Sequence, residues 1–122
     1  MLLTLAVAAA AGLGAVARYL LDQFVRHRVS SGFPHGTLVI NVSGSLLLGL
    51  VLGLAMHHGL TNAPTTVIGA GFAGGYTTLS TWAYETLMLA EEREFRAAAI
   101  NVVVSAGLGL AAAAAGFALA LF

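Results

Sequence analysis

Cysteine and lysine are absent from this chain, proline occurs only twice, and charge of either sign is scarce. Without cysteine there is no disulfide framework and no thiolate metal or redox site. Only 8% of the 122 residues are Asp, Glu, Lys or Arg, where a soluble domain carries about 25%. So few charges cannot cover a soluble surface of this size. The formal net charge is zero, which offers no footing for nucleic acid. Residues 29–84 hold no charged side chain at all. What fills the space is apolar: 59% of residues are hydrophobic, and the mean hydropathy is +0.93. The composition is that of an integral membrane protein. We read it as one domain, 1–122, too short to enclose a wide pore alone, so an oligomer is expected.

A span needs about 20 apolar residues, which places helices near 2–21, 37–56, 64–90 and 97–121. Residues 1–17 lack the basic start of a signal peptide, and their removal would leave an odd number of spans, so a retained helix is expected. Pro34 and Pro64 open the second and third helices, where a missing N–H costs nothing. Four spans put both termini on one side. Both charged clusters, Arg18–Arg28 and Glu91–Arg96, then lie at the other, with all five arginines. The positive-inside rule assigns that side to the cytoplasm.

Small residues recur at helix-packing spacing, as in Ser45, Gly49 and Gly53 or Gly71 and Gly75. Such faces let helices approach closely, and tight packing accounts for Gly49, Gly53 and the alanines 111–115. Packing alone does not account for Gly74-Gly75-Tyr76-Thr77-Thr78-Leu79-Ser80-Thr81-Trp82. In hydrocarbon an unpaired backbone or hydroxyl group is costly, so this stretch predicts a helix broken near 74–78, inside protein or along a water-filled path. It points to the passage of a polar solute or ion.

Several polar residues have two readings. Asn41 either bonds a neighbouring helix or points its N–H2 at an anion. Ser80, Thr81 and Ser105 either bond back to their own helix or line a path with O–H donors. Arg18 either snorkels to the interface or attracts anions at a pore mouth, and Glu85 is either functional or an anchor paired with Arg18. Tyr76, Trp82 and Tyr84 suit an interfacial belt, although Trp82 lies close to the break. His27, His35, His57 and His58 have no carboxylate company and read as loop residues. Gly69-x-Gly71-x-x-Gly74 matches a dinucleotide fingerprint in text but lacks its strand–turn–helix context. Asn41-Val42-Ser43 matches a glycosylation acceptor but lies within a span.

At these residues the chain resembles the Fluc fluoride channels, the CrcB family. The resemblance runs nearly end to end, through Gly14-Ala15-x-x-Arg18-Tyr19, Phe33-Pro34-x-Gly36-Thr37-Leu38-x-x-Asn41-x-x-Gly44-Ser45 and Gly71-Phe72-x-Gly74-Gly75-Tyr76-Thr77-Thr78-x-Ser80-Thr81-x-x-x-Glu85. It implies an all-α membrane protein of four transmembrane helices, the third broken mid-membrane, assembling as an antiparallel dual-topology dimer with two pores. The partner is a second copy or a paralogous subunit of opposite orientation, and the setting is the lipid bilayer of a prokaryotic plasma (inner) membrane.

The resemblance further implies a structural sodium ion at the dimer centre, held by the main-chain carbonyls of Gly74 and Thr77. Fluoride would pass Asn41, Leu79, Ser80, Thr81, Trp82 and Ser105, with Arg18 at the mouth. HF enters from acidic surroundings and dissociates inside, and a passive channel lets the trapped anion leave. The family pattern after Thr77-Thr78 reads Phe-Ser-Thr-Phe, whereas Leu79 and Trp82 stand here. Leu79 removes one aromatic edge; Trp82 keeps a ring and adds an N–H. Asn101 occupies the place of a family tyrosine and is a replacement donor. Two other readings compete: a small proton-coupled four-helix exporter, which needs a chamber carboxylate, and a non-conducting assembly subunit. No hydrolytic or redox constellation favours an enzyme.

Overall fold

The computed structural model describes all residues, 1–122, and every regular element is helical. Helix α1 covers Leu2–Arg28 and α2 covers His35–His57. The third segment starts as α3, which joins Asn62–Thr66, a π-helical stretch Val67–Ala73 and a last turn Gly74–Tyr76. After Thr77 and Thr78 it resumes as α4, Leu79–Glu91. The last helix, α5, is Phe95–Leu119. Three helices, α1, α2 and α5, are long and apolar enough to cross a membrane. The third segment is interrupted, so neither of its halves meets that length alone.

Helix α1 runs seven residues past the expected span, to Arg28. The polar end stays helical because Arg26 Nε donates to Asp22 Oδ2 at 2.8 Å, an i,i+4 pair. At 27 residues the helix is about 40 Å long, more than a hydrocarbon core of about 30 Å requires. Its last two turns therefore stand in the interface. The π-helical stretch before the break was not legible in the sequence. Gly74 N–H reaches back five residues to Gly69 O there, widening the helix just ahead of the interruption.

The bundle is two parallel pairs. In the first, α1 lies along α3: Gly14 faces Phe72 O and Tyr76 N, Gly71 faces Ala10 and Val7, and Gly75 faces Ala11 O. A Cβ at Gly14 or Gly75 would collide with main-chain atoms of the neighbour. In the second, α2 lies along α5: Gly49 meets Ala113 O, Gly53 meets Phe117 O and Ala120, and Gly116 meets Leu46 O and Leu50 N. The packing reading of Gly49 and Gly53 is what the structure shows. Few large side chains are buried; Ile40 and Asn101 are the largest fully enclosed ones. Leu13, Leu52, Leu87, Val103 and Leu110 face outward, as suits a chain whose solvent is lipid.

The four histidines are dispersed. His57 packs edge-on to Phe117, and His58 Nε2 lies 2.6 Å from Ala120 O at one end of the bundle. His35 bonds Ser31 and Phe33 O at the other.

Candidate functional site: the seat of the broken helix

The break is two residues of extended backbone, Thr77 (φ −79°, ψ 158°) and Thr78 (φ −147°, ψ 120°). Thr77 N–H still bonds Ala73 O at 2.9 Å. Thr78 N–H would bond Gly74 O in a continuous helix. Instead it donates to Asn41 Oδ1 at 2.9 Å, and Asn41 Nδ2 donates to Thr78 O at 2.9 Å. One carboxamide thus pairs with both main-chain groups of Thr78. The partners fix its orientation, since an N–H must face an oxygen and a C=O must face a nitrogen. The amide keeps one N–H to spare.

Residues of α2 close to Asn41 complete the seat. Ser43 Oγ lies 2.8 Å from Tyr76 Oη, and Ser45 Oγ donates to Asn41 O at 2.7 Å. Gly44 receives the Thr77 methyl and the Tyr76 ring, and a Cβ there would displace them. From α1, Arg18 Nη1 donates to Thr77 O at 3.4 Å. Thr78 also caps α4, its Oγ1 accepting from Thr81 N–H at 3.2 Å. The same hydroxyl donates to Thr81 Oγ1 at 3.0 Å and lies 3.4 Å from Ser80 Oγ.

Ser80 and Thr81 therefore gather with Thr78 rather than bonding back to their own helix, and both are exposed. Leu79 is exposed, pointing out of the subunit. Trp82 is half-buried, and its Nε1–H is enclosed without a protein partner. Ser105 lies apart from the break: its Oγ donates to Asn101 Oδ1 at 3.3 Å. Asn101 is fully buried and donates to Thr86 Oγ1 at 2.9 Å, which donates to Trp82 O at 2.8 Å. Asn101 thus ties α5 to α4. Gly74 is exposed on the outer face of the break.

Glu85 does not pair with Arg18. Its Oε1 lies 3.8 Å from Arg26 Nη2, and its Oε2 is buried without a partner. The reason is register. Helix α1 and the third segment run parallel, so if Arg18 meets Thr77, the residue eight positions past Thr77 meets the one eight positions past Arg18. A cavity of about 390 Å3 opens at this charged end, with Asp22, Arg26, His35, Glu85 and Thr81 among its walls. It reaches from the loops to the first turn of α4.

Ser43, Gly44 and Thr86 were not singled out from the sequence as site residues. A signal for Gly44 was present: Asn41-x-x-Gly44 places an amide and a gap on one face of α2, one turn apart. Thr86 carries no such signal, because an isolated threonine in a span ordinarily bonds its own helix, as this one also does.

Geometry of this kind defines a small multi-pass membrane protein whose third span is interrupted at a polar seat. The sequence model described as "CrcB-like protein, Camphor Resistance (CrcB)" matches residues 5–117. A "Fluoride-specific ion channel FluC 1" of Leifsonia xyli is 51% identical over 115 residues, covering 94% of this chain and 84% of its own length. A "FluC 2" of Mycobacterium bovis is 47% identical over 102 residues, covering 84% and 78%. A "FluC" of Geobacter metallireducens is 43% identical over 106 residues, 86% of each chain. The chain belongs to the CrcB family. These relatives are named as ion channels, not enzymes.

Proposed function

We propose that this chain is the subunit of a fluoride-specific channel through which the anion leaves a bacterial cell passively. The observation that carries the reading is the amide-and-hydroxyl seat at the break, in a chain whose relatives are named fluoride-specific ion channels. Fluoride is small and strongly hydrated, so a path must offer good donors in place of water. The spare N–H of Asn41 and the exposed hydroxyls of Ser80 and Thr81 are such donors. Trp82 Nε1–H, which has no protein partner, extends the set, and the Ser105 hydroxyl joins it only by giving up its bond to Asn101 Oδ1. The cavity at the charged end gives water a way to Thr81. Arg18 is the cation nearest the break and raises anion density there. Leu79, pointing outward, forms an apolar wall without an aromatic edge.

The functional unit in this reading is an antiparallel, dual-topology homodimer in the plasma membrane, with two pathways. Exposed Gly74 and the outward apolar side chains supply a face for the second copy. A structural sodium ion fits the donors at that face. Gly74 O has lost its helical partner to Asn41, and Thr77 O has only the long bond from Arg18. Carbonyl oxygens are the ligands a hard cation takes, and two per chain leave the remainder to the partner. Bound there, the ion supplies positive charge that ties two breaks together.

The test is efflux from liposomes carrying the purified protein, with chloride measured beside fluoride. Loss of fluoride with chloride retained is the expected result. Retention of both ions, alone and after co-expression with a paralogous subunit, overturns the reading.

A further inference from the structure

We propose that Asn41 is a positioning residue that keeps the third span broken, taking up both main-chain groups of Thr78 so that the Gly74 carbonyl is released outward and a single amide N–H is left for an anion. The cation half of this inference rests on the proposed function above; the clasp itself rests on geometry. Asn41 and Thr78 are 37 residues apart in sequence and share two bonds of 2.9 Å. No other side chain accepts from Thr78 N–H. Removing Oδ1 would free that N–H beside the carbonyl it bonds in an ordinary helix, that of Gly74, and the span would close. The rest of the seat supports the open form without pairing the Thr78 main chain: Gly44 admits the Thr77 methyl, Ser43 holds Tyr76, Arg18 donates to Thr77 O and the Thr78 hydroxyl caps α4. One carboxamide therefore couples two places. Its oxygen and first N–H set which main-chain oxygens face outward, and its second N–H faces whatever passes.

The coupling predicts different fates for two substitutions. Asn41→Ala loses both bonds, so the Gly74 carbonyl is recaptured. Asn41→Asp, in its protonated form, keeps an acceptor for Thr78 N–H and a donor for Thr78 O but has no second donor. Only the alanine variant should close the break; both should fail to pass fluoride.

The experiment is a dimer dissociation series in detergent, in sodium or in N-methylglucamine at constant ionic strength, with liposome efflux of fluoride on the same preparations. The native protein, Asn41→Asp and Ser105→Ala are expected to hold their dimers at least about tenfold more tightly in sodium, the scale of one enclosed polar group left unpaired. Asn41→Ala is expected to lose that difference, and both Asn41 variants to lose efflux. Amide exchange in the native protein should find the Thr78 N–H protected although it lies outside any helix. Sodium dependence retained in Asn41→Ala, or rapid exchange at Thr78, overturns the clasp. A native dimer indifferent to sodium overturns the cation half, while native efflux decides the channel reading separately. If Asn41→Ala gives no dimer in either salt, Asn41→Asp decides: sodium dependence kept with efflux lost supports the split role, and loss of both overturns it.

Discussion

The two halves of α2 hold their neighbours by opposite means. The first half, Asn41 to Ser45, grips the broken segment through directional bonds: a carboxamide on Thr78 and a hydroxyl on Tyr76. The second half, Gly49 to Gly53, has nothing to bond with and brings α5 in by the lack of side chains. Both halves are uncharged and sit in one helix. The difference shows how a membrane protein separates stability from chemistry. Close backbone approach gains dispersion along a whole face and tolerates no added atoms. Polar clasps act at one point and decide which backbone groups stay free.

Substitutions that invade one half but not the other sharpen this contrast. The largest effect is expected from Gly49→Leu, whose side chain meets the Ala113 main chain. Overpacking of about 3 kcal/mol or more should separate α2 from α5, seen as loss of the folded peak in size exclusion. Gly44→Val should act differently: it pushes Thr77 and Tyr76 off the seat, cutting fluoride efflux about tenfold or more while the α2–α5 seam still melts near the native temperature. Equal damage to efflux and melting would erase the distinction between the halves. Asn101→Ala, which leaves Thr86 and Ser105 without their shared partner, should cost about 1–2 kcal/mol in thermal melting. The smallest effect belongs to Gly107→Ala, where a Cβ meets nothing within 4 Å; its melting should stay within about 1 kcal/mol of native, on the stabilising side.

Much of this was legible in residue order. Glycines and hydroxyls inside an apolar run marked the break, because hydrocarbon gives such a cluster no other use, and it falls at Thr77 and Thr78. The spacing of Gly49 and Gly53 marked the seam. What was not legible depended on partners remote in sequence. Asn41 was open between glue and donor, since an amide has enough hydrogens for both, and the structure engages one and leaves the other. Glu85 was open between a functional role and a pairing with Arg18, and it lies by Arg26 instead because the register between parallel helices is set by where Gly14 and Gly75 let them touch. The π-helical stretch 67–73 has no composition of its own. Ser105 was open between a bond within its own helix and a place along a path, and its hydroxyl bonds Asn101, one turn back in the same helix.

The interruption also bears on how the chain enters its membrane. Residues 62–76 and Leu79–Glu91 are each too short to be inserted as independent spans, and both carry open main-chain ends that lipid cannot satisfy. Helices α1 and α2 precede them out of the ribosome, bringing Arg18 and Asn41 to the place where those ends will lie. The third span is thus a guest of the first two. Its biogenesis depends on a polar receptor already built in the bilayer, and the order of the helices in the gene is the order in which such a receptor has to be made.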